Sequence, residues 1–574
     1  MTDERSAVDD DASLNEWPSR PWALALMLGL AGAFVHIASD GGEQVPWRMA
    51  ITAALVFGPL ACAVTLSPER WKSSTLFAGG VALVMAGIAW RATSAGDRYA
   101  DEGFWVAAGL LAVTLSVPLF QAGFHRHRWA TSYKATHFHV WTDAITAAGA
   151  LAFVGLSWAL IAILAELFSA IRIELLKDLI EEEIFGWVYS GVTFGAALGV
   201  LRNQLKIIGT LQNVVLLVLS ILAVPLAVAL VLFLLAVALS GLDVLWEATR
   251  SATPLLLAIA VGCFVLANSV VRDDDEHASH SRVLRVAGFV LALGILPLSV
   301  MAALSMGTRI AQHGLSPERL WAIVSIAVAV AYGVAYFVSA IRGWRTLMEG
   351  GWREHLRQSN LHLAVLTCGF ALILAMPIFN FGAISAKNQI ARLDSGAVSA
   401  EDFDFNALRW DFGDAGRDAL ADLAAREGEV AKLAAEAQAM ESRGFGPLLP
   451  EQRDAIAGVD LSAFDDAAAT AIRARLEEDA WLCQDSCRVA NLREDANGVL
   501  AVVLNTREAG GSMRYLRVEP GVAKAIMLDN FRGELLPSVA RQMPEIDLDR
   551  TIELRPFTGQ QVYIDGKPVG DPFK

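Results

Sequence analysis

Long apolar runs recur from Pro21 to Phe381, separated by short polar segments, and beyond Phe381 the chain turns to shorter helical and strand-like patterns. A helix crosses hydrocarbon because it satisfies its own backbone hydrogen bonds, and about 20 mostly apolar residues are enough. The runs predict eleven transmembrane helices near residues 21–39, 46–66, 73–90, 102–120, 142–169, 184–201, 211–240, 253–271, 283–304, 320–341 and 361–381. Tryptophans cluster at their ends, among them Trp22, Trp47, Trp71, Trp90, Trp105, Trp141, Trp187, Trp246, Trp321 and Trp344, where indole rings prefer the headgroup region.

After the last run, residues 417–443 are rich in Ala, Leu and Glu with few breakers and predict one long helix ended by Gly444, Gly446 and Pro447. A second helix is expected near 465–480, followed by strands near 499–504, 513–518 and 561–569, the last around an Asp565-Gly566 turn. The expected fold class is an α-helical polytopic membrane protein with a C-terminal α+β module outside the cytoplasm. Its parts are an acidic cytoplasmic tail (1–20), a transmembrane bundle (21–381), a juxtamembrane neck (382–416) and a periplasmic domain (417–574).

Charge sets the orientation. With the N-terminus inside, cytoplasmic segments hold sixteen Lys and Arg and the opposite loops eight, and basic loops stay cytoplasmic. An odd number of crossings then puts the C-terminus on the far side. From residue 382 onward there are 33 Asp and Glu against 22 Lys and Arg, a net of −11 out of −15 for the chain, which speaks against nucleic-acid binding. The mean hydropathy of +0.44 names the bilayer as the partner of most of the surface. Asp3, Glu4, Asp9, Asp10 and Asp11 stand where a cleaved signal would be basic, so the first run is expected to be a retained anchor. Abundant Ala and an excess of Arg over Lys point to a bacterial source, hence an inner membrane.

Cys62, Cys263 and Cys368 fall inside apolar runs and read as small hydrophobes, whereas Cys483 and Cys487 lie outside the membrane. An oxidising compartment would let that pair form a local disulfide; free thiols, half of a metal site or a redox motif of unusual spacing are the alternatives. Gly191, Gly195 and Gly199 recur every four residues in the sixth run, leaving one face bare for close approach of another helix. Glu166 and His36 sit near the predicted outer ends of their helices and are ligand or coupling candidates, although the helix centres hold almost no charge. Residues 124–139 mix aromatic and basic residues and read as an interfacial segment; His125, His127, His137 and His139, like His277 and His280, lack a metal-site spacing. Residues 171–183 predict an amphipathic surface helix with a solvated acidic face. No nucleophile elbow, phosphate loop or metal motif is present in the sequence, so no catalytic residue, metal or cofactor is assigned.

The segment 384–413 carries Asn388, Gln389, Arg392, Leu393, Ser395 and Gly396, then Phe403, Asp404 and Phe405. Placed behind a many-helix region, this pattern resembles the bacterial membrane family called domain of unknown function 4153, over most of the chain. The resemblance implies a bacterial membrane protein and brings no reaction or ligand. Within the neck, Ser395 and Gly396 predict a turn and Phe403 with Phe405 a contact with the bundle; Asn388, Gln389, Arg392, Asp394 and Asp404 are the polar residues that would gather in a site at the membrane surface. The preferred function is a non-enzymatic envelope scaffold or sensor whose tail meets an envelope protein. The alternative is a secondary transporter, motivated by the helix count, the glycine face and Pro59, Pro118, Pro225, Pro297 and Pro377. A lipid- or glycan-modifying enzyme using Asp40, Glu43 or Glu166 ranks third.

Overall fold

The structure is a computed structural model that describes residues 17–39, 45–241, 252–276, 278–279, 281–343, 351–440, 455–478, 482–483, 486–495, 498–506, 512–519, 522–526, 552–556, 560–564 and 567–573. Asp40, Glu43, Trp246, His277, His280, Trp344, Gly444, Gly446, Pro447 and the Asp565-Gly566 turn lie outside the described residues. The chain divides into two compact units, Met1–Ala391 with Phe412–Ala415, and Arg392–Asp411 with Gly416–Lys574.

The first unit is helical. In chain order it contains α1 (Arg20–Ser39), α2 (Pro46–Thr65), α3 (Trp71–Ala95), α4 (Glu102–Gln121), the short α5 (Phe124–His127), α6 (Tyr133–Ser169), the short α7 (Leu175–Glu181), α8 (Glu183–Asn203) and α9 (Leu205–Ser240). There follow α10 (Ala252–Val271), α11 (Arg282–His313), α12 (Pro317–Arg342), α13 (Gly351–Ala375) and α14 (Phe381–Asp394). Among the described residues eleven helices are long and apolar enough to cross a membrane, and each coincides with one predicted run. The protein is membrane-embedded.

Packing follows sequence neighbours for the most part. α2, α3 and α4 lie side by side, as do α10, α11, α12 and α13, with α9 against α10 and α11. The exceptions join distant segments: α1 packs on α8, and α4 on α13. The main apolar core gathers Leu230, Leu256, Val270, Leu291, Ile295, Leu298, Tyr336 and Trp352, all nearly inaccessible. Leucines such as Leu156, Leu160 and Leu167 on α6 stay exposed, as a lipid-facing side must in a bundle whose solvent is hydrocarbon.

Several expectations change here. α6 starts at Tyr133, nine residues before the predicted span, so His137 and His139 belong to a long helix. The Ser132 hydroxyl accepts from the Ala135 N–H and caps that early start. The amphipathic helix expected over 171–183 shrinks to α7, because the chain before it turns through Arg172 at φ 64°. Trp105 and Trp321 are not headgroup-belt residues: they are 1% and 8% exposed, held by polar partners inside the bundle. Trp22, Trp47, Trp71, Trp90 and Trp187 are exposed at helix ends.

The chain passes out of the first unit within α14, after Ala391. The second unit contains α15 (Phe405–Trp410), most of α16 (Gly413–Ala424), α17 (Glu429–Ala439) and α18 (Asp466–Glu478). Strands β1 (Ser486–Asp495), β2 (Gly498–Thr506), β3 (Ser512–Glu519) and β4 (Val522–Ile526) form an antiparallel meander; β5 (Ile552–Pro556), β6 (Gln560–Ile564) and β7 (Lys567–Phe573) form a second antiparallel sheet. The single helix expected over 417–443 is two helices, since Gly428 at φ 90° ends one register and starts another. Leu500 to Leu504 on β2 are buried without alternation, as in a strand covered on both faces. α18 supplies Ile472 and Leu476 to that core, with Val489, Val503, Leu516 and Cys483. Cys483, just before β1, is joined by a disulfide to Cys487 within that strand.

Candidate functional site

The most connected polar group lies between α3 and α4. The chain leaves α3 through Gly96 at φ 50° and a single turn at Gly96–Arg98, which drops Asp101 into the protein instead of into solvent. Asp101 is 1% exposed. Its Oδ1 accepts from the Trp321 indole N–H at 3.2 Å and its Oδ2 from the Phe381 backbone N–H at 3.0 Å. Burial pushes the Asp101 carboxyl above the usual carboxylate range, while those two hydrogen bonds and the charge of Arg91 hold it back. Arg91 lies with its guanidinium carbon 3.2 Å from the Trp105 ring centroid and donates to the Ala375 carbonyl at 3.1 Å. One carboxylate and one guanidinium thus fasten the ends of α3 and α13 to the starts of α4, α12 and α14.

Of these residues Trp321 also forms part of the wall of a cavity of about 670 Å³ lined by α4, α10, α11, α12 and α13. Trp321 stacks on Phe104 at 5.1 Å, both lining the cavity, and meets the Phe381 ring edge-on at 5.0 Å. Arg309, Glu318 and Arg319 are its charged lining residues. Arg319 donates to the carbonyls of His313 (3.1 Å) and Gly314 (2.7 Å) in the α11–α12 loop.

α14 is pinned to that loop. Asn388 Oδ1 accepts from the Leu315 N–H at 2.9 Å, and Gln389 Nε2 donates to the carbonyls of His313 and Leu315, each at 2.8 Å. Its first turn is pinned as well: a Cβ at Gly382 would collide with the Phe412 carbonyl, and one at Gly413 with the Arg98 carbonyl. The returning segment 412–415 therefore packs between the start of α14 and the turn that sets Asp101.

The other neck residues belong to the second unit. Asp394 pairs with Arg426 at 2.5 Å, an interaction that raises the Arg426 pKa, and Asp404 caps α15 by accepting from the Ala407 N–H at 3.0 Å. Arg392 follows the unit boundary. Phe403 and Phe405 meet each other at 4.8 Å, and Gly396 takes φ 71° in the turn after α14. Asn388 and Gln389 share one anchor, whereas Asp394 and Asp404 make their contacts within the second unit.

Glu166 is an exposed residue of α6, away from the cavity lining. His36 Nδ1 lies 3.9 Å from Glu183 Oε2, beside an acidic depression with Asp178, Glu181 and Glu182. Gly191, Gly195 and Gly199 on α8 face the backbone of α1 at Leu28, Leu24 and Pro21, so close that a Cβ would overlap it; Gly29 and Gly32 on α1 are as crowded from the other side. No group of three or more His, Cys, Asp or Glu able to hold a metal occurs among the described residues.

At the other end of α4 lies a second polar region, of which His137 alone stands out in the sequence. Gln121 Nε2 donates to the Val64 carbonyl at 2.9 Å and to Asp143 Oδ1 on α6 at 3.3 Å, leaving Asp143 Oδ2 and Gln121 Oε1 buried without a hydrogen bond. Nearby on α6, both ring nitrogens of buried His137 lack a partner. A closed triangle joins three other helices there: Asn268 donates to Tyr336, Tyr336 to Asn360 and Asn360 back to Asn268, each at 2.6 Å. Arg357 covers the end of α10 by donating to the Val271 and Arg272 carbonyls, and pairs with Asp275 at 3.0 Å. The available signal was the helical spacing of Tyr133, His137 and Trp141, which continues the α6 pattern upstream.

Among known proteins, the family described as Domain of unknown function (DUF4153) matches residues 21–423, and the chain belongs to it. No curated protein and no solved structure matches the chain.

Proposed function

We propose that the protein is a non-enzymatic receptor or scaffold of a bacterial inner membrane, in which the bundle binds an effector and the C-terminal unit presents the result to an envelope partner. The observation that carries this reading is Asp101: one carboxylate joins the cavity wall, through Trp321, to the first turn of α14, through Phe381. α14 continues past the unit boundary to Asp394, so a shift of the cavity wall reaches the chain that enters the second unit. The sixteen-to-eight distribution of basic residues supports a cytoplasmic N-terminus and a periplasmic tail, as does the disulfide in that tail. Crosslinking from the C-terminal unit in intact cells gives discrete products with an envelope protein; repeated absence of any product contradicts the reading. A topology reporter fused at Lys574 reads periplasmic, and a cytoplasmic signal reverses the orientation.

A second reading, a secondary transporter, is favoured by Asp143 and His137, whose buried polar atoms lack partners within a membrane-length helix. Reconstituted protein that moves no solute under an imposed proton gradient removes that reading.

A further inference from the structure

The cavity behind Trp321 has a depth and a polarity that select its occupant. Its lining comes from one end of the bundle only: residues 104–111 of α4, 253–257 of α10, 318–328 of α12 and 367–374 of α13. Along α12 the lining runs from Glu318 to Val328, about 15 Å at 1.5 Å per residue step, which matches one leaflet of a hydrocarbon core about 30 Å thick. The charged residues Arg309, Glu318 and Arg319 all belong to the last turns of α11 or the first turn of α12. Deeper positions are mostly apolar, with Leu111, Leu257, Ala322, Val328 and Phe370, and the hydroxyls of Ser325 and Thr367 are the polar groups among them. This is the gradient of an amphiphile standing along the bilayer normal, tail inward and head at the rim.

The rim also chooses the sign of the head. Two arginines against one glutamate leave it cationic, and Arg319 is turned to the loop carbonyls. The Arg309 side chain makes no hydrogen bond or ion pair among the described residues. A cation left at a membrane surface without a protein counterion is suited to a phosphate. The volume of about 670 Å³ lies within the range of ordinary ligand pockets.

We infer that this cavity holds an acyl chain of an anionic phospholipid from the adjoining leaflet, with the lipid phosphate at Arg309. The inference rests on the receptor reading and names its effector class. A bound chain would touch Phe104 and Trp321, the rings that lead through Asp101 to α14.

The test uses the full chain reconstituted in phosphatidylcholine vesicles with a trace of phosphatidylglycerol carrying a diazirine on its acyl chain. Parallel samples carry the same photoreactive chain on diacylglycerol, which lacks the phosphate. Phosphatidylglycerol labels peptides containing residues 104–111 and 318–328, about fivefold more than diacylglycerol does, the effect expected of one basic contact with an anionic lipid. Arg309→Gln lowers phosphatidylglycerol labelling to the diacylglycerol level and Arg309→Lys retains it. Competition on the unaltered chain gives the same answer without a variant: excess unlabelled phosphatidylglycerol reduces the labelling and unlabelled diacylglycerol does not. Labelling spread evenly over lipid-facing helices, equal labelling by the two lipids, or indifference to both competitors overturns the inference. Pocket labelling without any crosslinked partner of the C-terminal unit removes the receptor reading and leaves the lipid assignment standing; a partner without pocket labelling does the reverse.

Discussion

Asp101 and Asp143 are carboxylates near opposite ends of α4, and the protein treats them differently. Asp101 has a donor on each oxygen, one from the start of α12 and one from the start of α14. Asp143 has one long hydrogen bond from Gln121 and one buried oxygen with none. A buried carboxylate with a donor on each oxygen holds elements in one arrangement, whereas one left half-satisfied marks a place that can take a water, a proton or an altered packing. The Asp101 end is the fastened end of the bundle, and the Asp143 end is the end with polar capacity to spare.

Mutation separates them. Asp101→Ala leaves the Trp321 indole N–H and the Phe381 N–H buried without acceptors, a loss of about 3 kcal/mol that lowers the unfolding temperature of the detergent-solubilised protein. Gly413→Ala attacks the same end by another route. At φ 66° an alanine costs about 1 to 2 kcal/mol from left-handed backbone alone, before its collision with the Arg98 carbonyl, and thermal unfolding shows the sum.

A smaller effect comes from pH. Because burial raises the Asp101 pKa, the folded state takes up a proton more readily than the unfolded one. Stability therefore falls as pH rises through the ordinary carboxylate range toward the raised folded-state value, and is flat above it. Asp101→Asn removes this component of the slope, which denaturant midpoints measured across that range reveal. The smallest change is at the other end. Asp143→Asn keeps an acceptor for Gln121 and replaces one unsatisfied atom by another, so stability stays within about 1 kcal/mol of the parent. A loss at Asp143 as large as at Asp101 would erase the distinction between the two ends.

The contrast also explains what could be read from the chain. The eleven spans were legible because hydrocarbon demands long uninterrupted apolar runs, a signal that survives any detail of packing. The glycine face of α8 was legible too, since four-residue spacing leaves one side bare whichever helix arrives there, although α1 as the partner was not. Asp101 was hidden in a stretch of small and charged residues that reads as a solvated loop; only the fold brings Trp321 and Phe381, 220 and 280 residues away, against it. A distant partner is also why Trp321 looks like a headgroup-belt residue in sequence and turns out to be buried, while Trp105 is covered by Arg91 and Tyr99. Asp143 was missed for a different reason: it stands at the very start of the run predicted over 142–169, and only the extension of α6 nine residues upstream places it inside a helix, against Gln121. In the neck, Asn388 and Gln389 were recognisable as polar and helical, but their shared anchor on the α11–α12 loop depends on tertiary packing.

The central claim is that the cavity wall and α14 are one mechanical unit joined at Asp101. Amide hydrogen exchange of the full chain in lipid nanodiscs, with and without phosphatidylglycerol, tests it most directly. Filling the cavity slows exchange in the peptide covering Phe381–Asp394, and Asp101→Ala abolishes that response while leaving the photolabelling of the cavity in place. Unchanged exchange in α14 when the cavity is labelled, or an equal response in the Asp101→Ala protein, contradicts the account.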